Sequence, residues 1–157
     1  MARTKTREEG CYVHQHGVEA VFDKVKGDID RDGFSIIGVM DTPPFSYTVG
    51  LTQSRHHPEI VITGLDSQTG RALRHAIVER IPAAGRLPID EPIEKIANFP
   101  LVLKPVPRET SKVANMARAL YEQNFELLQL VWPDVKGRFP WENGYIDKLT
   151  QPRYWRA

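Results

Sequence analysis

The chain has 157 residues, 41% hydrophobic and 26% charged, which suits one soluble globular domain with a single core and excludes the polar, highly charged composition of disorder. Lys plus Arg total 21 against 20 for Asp plus Glu, so no global positive field gathers nucleic acid or an anionic membrane. Cys11 is the one cysteine and closes no internal disulfide, the opening MARTKTREEG lacks a signal peptide's apolar core, and no apolar run is long enough to span a bilayer, so the expectation is a cytoplasmic protein.

In chain order, residues 1–12 are polar, with Arg3, Lys5 and Arg7, and read as a flexible N-terminal arm of a single domain 1–157. Val18, Val21, Phe22, Val25 and Ile29 recur at spacings of three and four, which predicts an amphipathic helix stopped at Gly33. Phe34 to Met40 is short and apolar, and Asp41-Thr42-Pro43-Pro44 cannot continue a ladder, so a strand, a turn and a second strand follow. In that second strand Phe45, Tyr47, Val49 and Leu51 form a large apolar face, while Ser46, Thr48 and Gly50 form a small, hydroxylic one open to solvent, backbone or ligand.

Ile60 to Ile62 predicts a third strand, and Asp66 or Ser67 caps a helix toward Arg80, with Leu73, Ile77 and Ile81 buried and Pro82 ending it. Ala83 to Pro92 reads as an exposed connection and the candidate mobile lid. Phe99 to Val106 is a strand whose Pro105 and Pro107 place it at an edge or a strand end. A helix capped by Thr110 or Ser111 carries Val113, Met116, Ala117, Leu120 and Tyr121, and FELLQLVW from Phe125 to Trp132 reads as a strand covered on both sides. Turn residues from Pro133 to Gly137 then predict a hairpin into Arg138 to Trp141.

The order αβββαβαβ, with a final strand in that hairpin, alternates too little for a doubly wound parallel sheet. The fold class expected is α+β: a mostly antiparallel twisted sheet or partly closed barrel with about three helices over one face or end. A homodimer would be one way to cover an open sheet edge.

Two blocks, PPFSYTVGLTQSRHHPEIVITGL from Pro43 and LLQLVWPDVKGRFPW from Leu127, resemble the bacterial and phage proteins of domain of unknown function family 4262, over most of the chain. Their Tyr-Thr-Val-Gly-Leu core, His-Pro-Glu, and Trp-Pro-Asp with Gly-Arg-Phe-Pro-Trp carry the resemblance, which implies no established activity. The strand-turn-strand block is also similar, at fold level alone, to the opening of split-barrel flavin-binding proteins, although the chain carries no specific flavin motif.

Arg55, His56, His57 and Glu59 form the densest cluster of candidate ligand groups, because imidazole moves protons near neutral pH and a carboxylate can orient it. No metal site is expected: adjacent histidines in extended chain point apart, and His14, His16 and His75 match no zinc or iron spacing. Ser46 and Thr48 lack a nucleophile elbow, Tyr47 reads as core, and Cys11 beside His14 and His16 reads as a free thiol. Ser67, Thr69, Arg71 and Arg74 gather at a helix start, where an anion could bind or where a plain capped helix could stand.

Trp132, Phe139 and Trp141 around Asp134 and Arg138 suit a planar ligand or a protein hot spot, and equally a hairpin packed on its own domain. No Walker loop, dinucleotide fingerprint or Cys-x-x-Cys names a cofactor. Two readings follow. In one, a small ligand, planar or phosphorylated, is bound where the Tyr47–Thr48 strand, the Arg55–Glu59 loop and the Trp132–Trp141 hairpin converge. In the other, the chain is a non-catalytic interaction protein such as an inhibitor, immunity factor or host-directed phage protein.

Overall fold

In the computed structural model, residues 17–147 and 151–156 are described; the arm at 1–12, Cys11, His14 and His16 lie outside them. Helix α1 spans Val18–Asp32, with Val21, Val25 and Ile29 buried, and ends where Gly33 turns left-handed at φ 89° and donates its N–H to the Ile29 carbonyl. Strands β1 (Ser35–Val39), β2 (Phe45–Val49) and β3 (Glu59–Thr63) form the expected antiparallel meander, with Val39 opposite Phe45 and Phe45 opposite Thr63.

β2 is shorter than the sequence predicts. It stops at Val49 because Gly50 turns left-handed at φ 118° and starts a single helical turn, α2 (Leu51–Ser54). No side chain fits at Gly50: a Cβ there would stand 2.8 Å from the Gly33 carbonyl oxygen, from Ile29 and from Phe34.

Helix α3 (Ser67–Glu79) is capped by Asp66, whose carboxylate accepts the Thr69 N–H at 2.8 Å. It is followed by a two-residue strand β4 (Pro92–Ile93) that sequence reading missed, by β5 (Leu101–Pro105), by a 3₁₀ turn at Ser111–Val113, by α4 (Asn115–Tyr121), and by β6 (Leu127–Val131). The predicted cap at Thr110 or Ser111 therefore heads the 3₁₀ turn, and Ser111 Oγ donates back to the Arg108 carbonyl instead of capping α4.

The sheet order is β1-β2-β3-β6-β5-β4, and only the β3–β6 pair is parallel. β6 is central and buried throughout, as its continuous apolar run implies. Among the described residues β1 and β4 are the edges, so the sheet is open and not a closed barrel.

Alternation along the strands makes two cores. On one face Ile60, Ile62, Leu128 and Leu130 meet Leu73, Ile77 and Val78 of α3; on the other Val61, Tyr47 and Leu127 meet Val25 and Ile29 of α1 and Ala117 of α4. Helices thus cover both faces rather than one, since both parities of β3 and β6 are apolar. Each such fully buried Leu or Ile contributes on the order of 1.5–3 kcal/mol.

Among the described residues no strand follows Val131, so the hairpin expected after Trp132 does not form. Asp134 accepts the amides of Lys136, Arg138 and Ile146 at 2.8 Å each, which folds this segment into a loop around one carboxylate. The polar edge of Trp132 is taken by the C-terminal segment: its N–H and its carbonyl pair with the Gln151 side-chain amide at 3.0 and 2.9 Å.

Candidate functional site

Glu59 opens β3 and is 0% exposed. Its carboxylate accepts from the amides of Gly50, Leu51 and Thr52 at 3.2, 3.3 and 2.9 Å, and from the hydroxyls of Thr48 and Thr52 at 2.8 and 2.7 Å. The glycine turn after β2 points these amides inward, and Glu59 fills the nest as an internal anion. Burial pushes its carboxyl above the ordinary range against the opposing pull of Thr52, Thr48 and Gly50. Thr48 Oγ1 also accepts the Ile60 N–H at 2.9 Å, so the small face of β2 is spent inside the fold. Tyr47 is core, its hydroxyl accepting the Met116 N–H at 2.9 Å, and burial pushes its phenol up to about 12.

His57 is buried beside this hub. The Leu87 N–H donates to Nε2 at 3.3 Å, which puts the ring proton on Nδ1, where it donates to the Pro58 carbonyl at 2.8 Å. Burial holds the imidazole below its ordinary range. His57 therefore ties the Pro82–Glu91 connection to β3. Its neighbour His56 stands exposed with left-handed backbone, φ 52°, and Arg55 turns aside, its Nη2 3.6 Å from where a Cβ of Gly33 would be.

Two adjoining clefts of about 390 Å³ each open here, at the N-terminal ends of β3 and β6, and share Arg108, Gln123 and Phe125. Glu109, Ser111, Lys112, Arg118 and Glu122 complete the first; Thr52, His56, His57, Pro58, Arg86, Asn124 and Glu126 complete the second. Arg108 is fixed by donating from Nη1 to the Gln123 carbonyl at 2.6 Å. Arg86 reaches Glu126 at 2.7 Å, and Glu109 is paired with Arg156. Among the described residues neither Lys112 nor Arg118 meets a carboxylate. Glu122, like His56, is a non-glycine residue at positive φ, 58°, so each cleft carries one strained backbone position.

Of the residues selected from sequence, His56 and His57 line this site and Glu59 lies behind it. Trp132, Asp134 and Arg138 follow the far end of β6, five strand residues or roughly 17 Å from its start, and Trp141 lies in the same loop, outside both clefts. The Trp132 indole donates to the Thr63 carbonyl at 3.0 Å, and Arg138 Nε lies 3.5 Å from the Asp134 carboxylate. Burial raises the Asp134 carboxyl, but the amides of Arg138, Ile146 and Lys136 outweigh it and leave it below the ordinary range. Trp141 is 45% exposed, stacked on Phe139 at 5.1 Å with Lys104 Nζ 4.4 Å over its ring.

At the start of α3, where Ser67 is the first residue, both the amide and the hydroxyl of Thr69 are taken by Asp66. Arg71 is exposed, whereas Arg74 is 2% exposed and folded back over Gly70, with no partner for Nε or Nη1 among the described residues. Arg86, Arg108, Lys112 and Arg118 were not selected from sequence. They lie on three separate segments, and only the β3–β6 and β5–β6 pairings bring them together.

No helix among the described residues is long and apolar enough to cross a membrane, and among them no three His, Cys, Asp or Glu side chains converge as a metal site. No curated protein and no solved structure matches the chain. The chain belongs to the family described as domain of unknown function (DUF4262), whose family model matches residues 28–146. That match contains both clefts and the Trp141 loop, and stops before the segment that pairs with Trp132.

Proposed function

We propose that this protein binds a small anionic ligand, bearing carboxylate or phosphate, in the paired clefts around Arg108. The observation that carries the reading is the convergence of the cations Arg86, Arg108, Lys112 and Arg118 on one concave surface beside the exposed His56, where Glu122 and Glu126 offset part of the charge and Glu109 is engaged by Arg156. Each cleft has the size of a small-molecule site, roughly 300–1,000 Å³. Arginine supplies directional donors for oxyanions, and the amide side chains of Gln123 and Asn124 add neutral ones. The buried His57 and Glu59 hold the walls of the site and leave contact with the ligand to the exposed groups.

Thermal unfolding in low salt tests this with inorganic phosphate as the probe. Phosphate should raise Tm in proportion to the logarithm of its concentration above Kd, and Arg108→Ala should abolish the rise while leaving the phosphate-free Tm within a few degrees. A rise unchanged in Arg108→Ala would overturn the assignment.

A second reading, a protein-interaction module, is favoured by one observation: Val135 at 84% and Trp141 at 45% exposure share the loop after β6, outside both clefts. It predicts a stoichiometric partner whose binding is lost in Trp141→Ala and kept in Arg108→Ala.

A further inference from the structure

We infer that the ligand of the Arg108 site is elongated, with two anionic groups joined by a short and partly apolar spacer, and lies across both clefts at once. This rests on the anionic-ligand reading above and specifies it. The two clefts are not alternatives, because Arg108, Gln123 and Phe125 belong to both.

Each end has its own donors beyond that shared wall: the cations Lys112 and Arg118 in one cleft, the cation Arg86 and the exposed imidazole of His56 in the other. Between them stands the shared wall, where the buried Phe125 offers apolar contact beside the Arg108 guanidinium. A cleft of about 390 Å³ is roughly 9 Å across, several times the volume of one oxyanion, and a single phosphate would leave most of the surface unused. The strained backbone of His56 lies at one end and that of Glu122 at the other, as expected where both ends are shaped for contact.

Arg86 is engaged by Glu126 at 2.7 Å, with both side chains more than half exposed, so the pair exchanges readily for a competing anion. One end of the ligand takes the place of the Glu126 carboxylate on Arg86. Removing the competing charge should therefore tighten binding, which a ligand confined to the Lys112 end would not register.

Isothermal titration at low ionic strength, with inorganic phosphate and hexane-1,6-diyl bisphosphate as probes, decides the matter. The bisphosphate should bind at least about tenfold tighter than phosphate, since the second contact becomes intramolecular. That preference should vanish in the Lys112→Ala/Arg118→Ala pair and equally in Arg86→Ala, and grow in Glu126→Gln; all these positions are exposed, and circular dichroism verifies folding. Equal affinity for the two probes in the unaltered protein would overturn the two-ended ligand and leave single-anion binding standing. A preference that survives in both cleft variants would also overturn it, as non-specific charge attraction. Absence of binding by either probe would overturn both this inference and the anionic-ligand reading.

Discussion

The amide of Leu87 donates to Nε2 of His57 at 3.3 Å, joining the connection after α3 to the residue two places before β3. The bond exists only while Nε2 is unprotonated. Burial holds the folded imidazole below its unfolded value of about 6.5, so the unfolded chain binds the proton more readily. The stabilisation is complete above that unfolded value and is lost as pH falls through the folded one. Urea midpoints of the native protein and His57→Gln should thus differ most near neutral pH and converge in acid; the difference cancels the contribution of Glu59, which runs the other way.

Glu59 accepts five hydrogen bonds, and three of their donors are the backbone amides of Gly50, Leu51 and Thr52. In Glu59→Gln an NH₂ must face an amide N–H whichever way the side chain is flipped, because both carboxylate oxygens receive one. Denaturant unfolding should show a loss of about 2–3 kcal/mol. An unchanged midpoint would mean that the turn after β2 relaxes without its internal anion.

Arg74 is a buried cation, its pKa pushed down to about 10 by burial and by Arg71, yet still charged at neutral pH. Gly70 leaves room for its Nη1, which would stand 3.0 Å from a Cβ at that position. With Nε and Nη1 unpartnered among the described residues, Arg74→Met removes a desolvated charge and keeps most of the packing. A gain of about 1–3 kcal/mol is expected, seen as a higher Tm. A lower Tm would show that the guanidinium holds an acceptor in solution.

Gln151 mimics a strand neighbour for Trp132, and Gln129 donates to the Pro152 carbonyl at 2.8 Å while accepting the Tyr154 N–H at 2.8 Å. Gln151→Leu should cost about 2–3 kcal/mol, as two buried backbone groups lose their partners. Indole fluorescence should report it locally, since Trp132 and Trp155 are both buried in this region.

The meander, α1, α3 and the buried β6 were legible because their apolar spacing is local: three and four in Val18, Val21, Val25 and Ile29, nearly continuous in LLQLV. The loop after β6 was not, because Asp134, Gln151 and Trp132 decide it through side-chain bonds to backbone that composition cannot display. The histidine pair drew attention by chemistry alone, but the structure separates its members into a buried tether and an exposed cleft residue. Arg86, Arg108, Lys112 and Arg118 were invisible as a group, since each is an ordinary surface cation in its own segment. Parallel pairing of β3 with β6 is the long-range fact that assembles them.

The most direct test of the central claim is a backbone amide chemical-shift map of the ¹⁵N-labelled protein titrated with inorganic phosphate in low salt. The account predicts saturable shifts at His56, Arg86, Arg108, Lys112, Arg118 and Gln123 to Glu126, and none beyond the far ends of β3 and β6. Shifts centred instead on Thr69 to Arg74 or on Asp134 to Trp141, or no saturable shift anywhere, would contradict it.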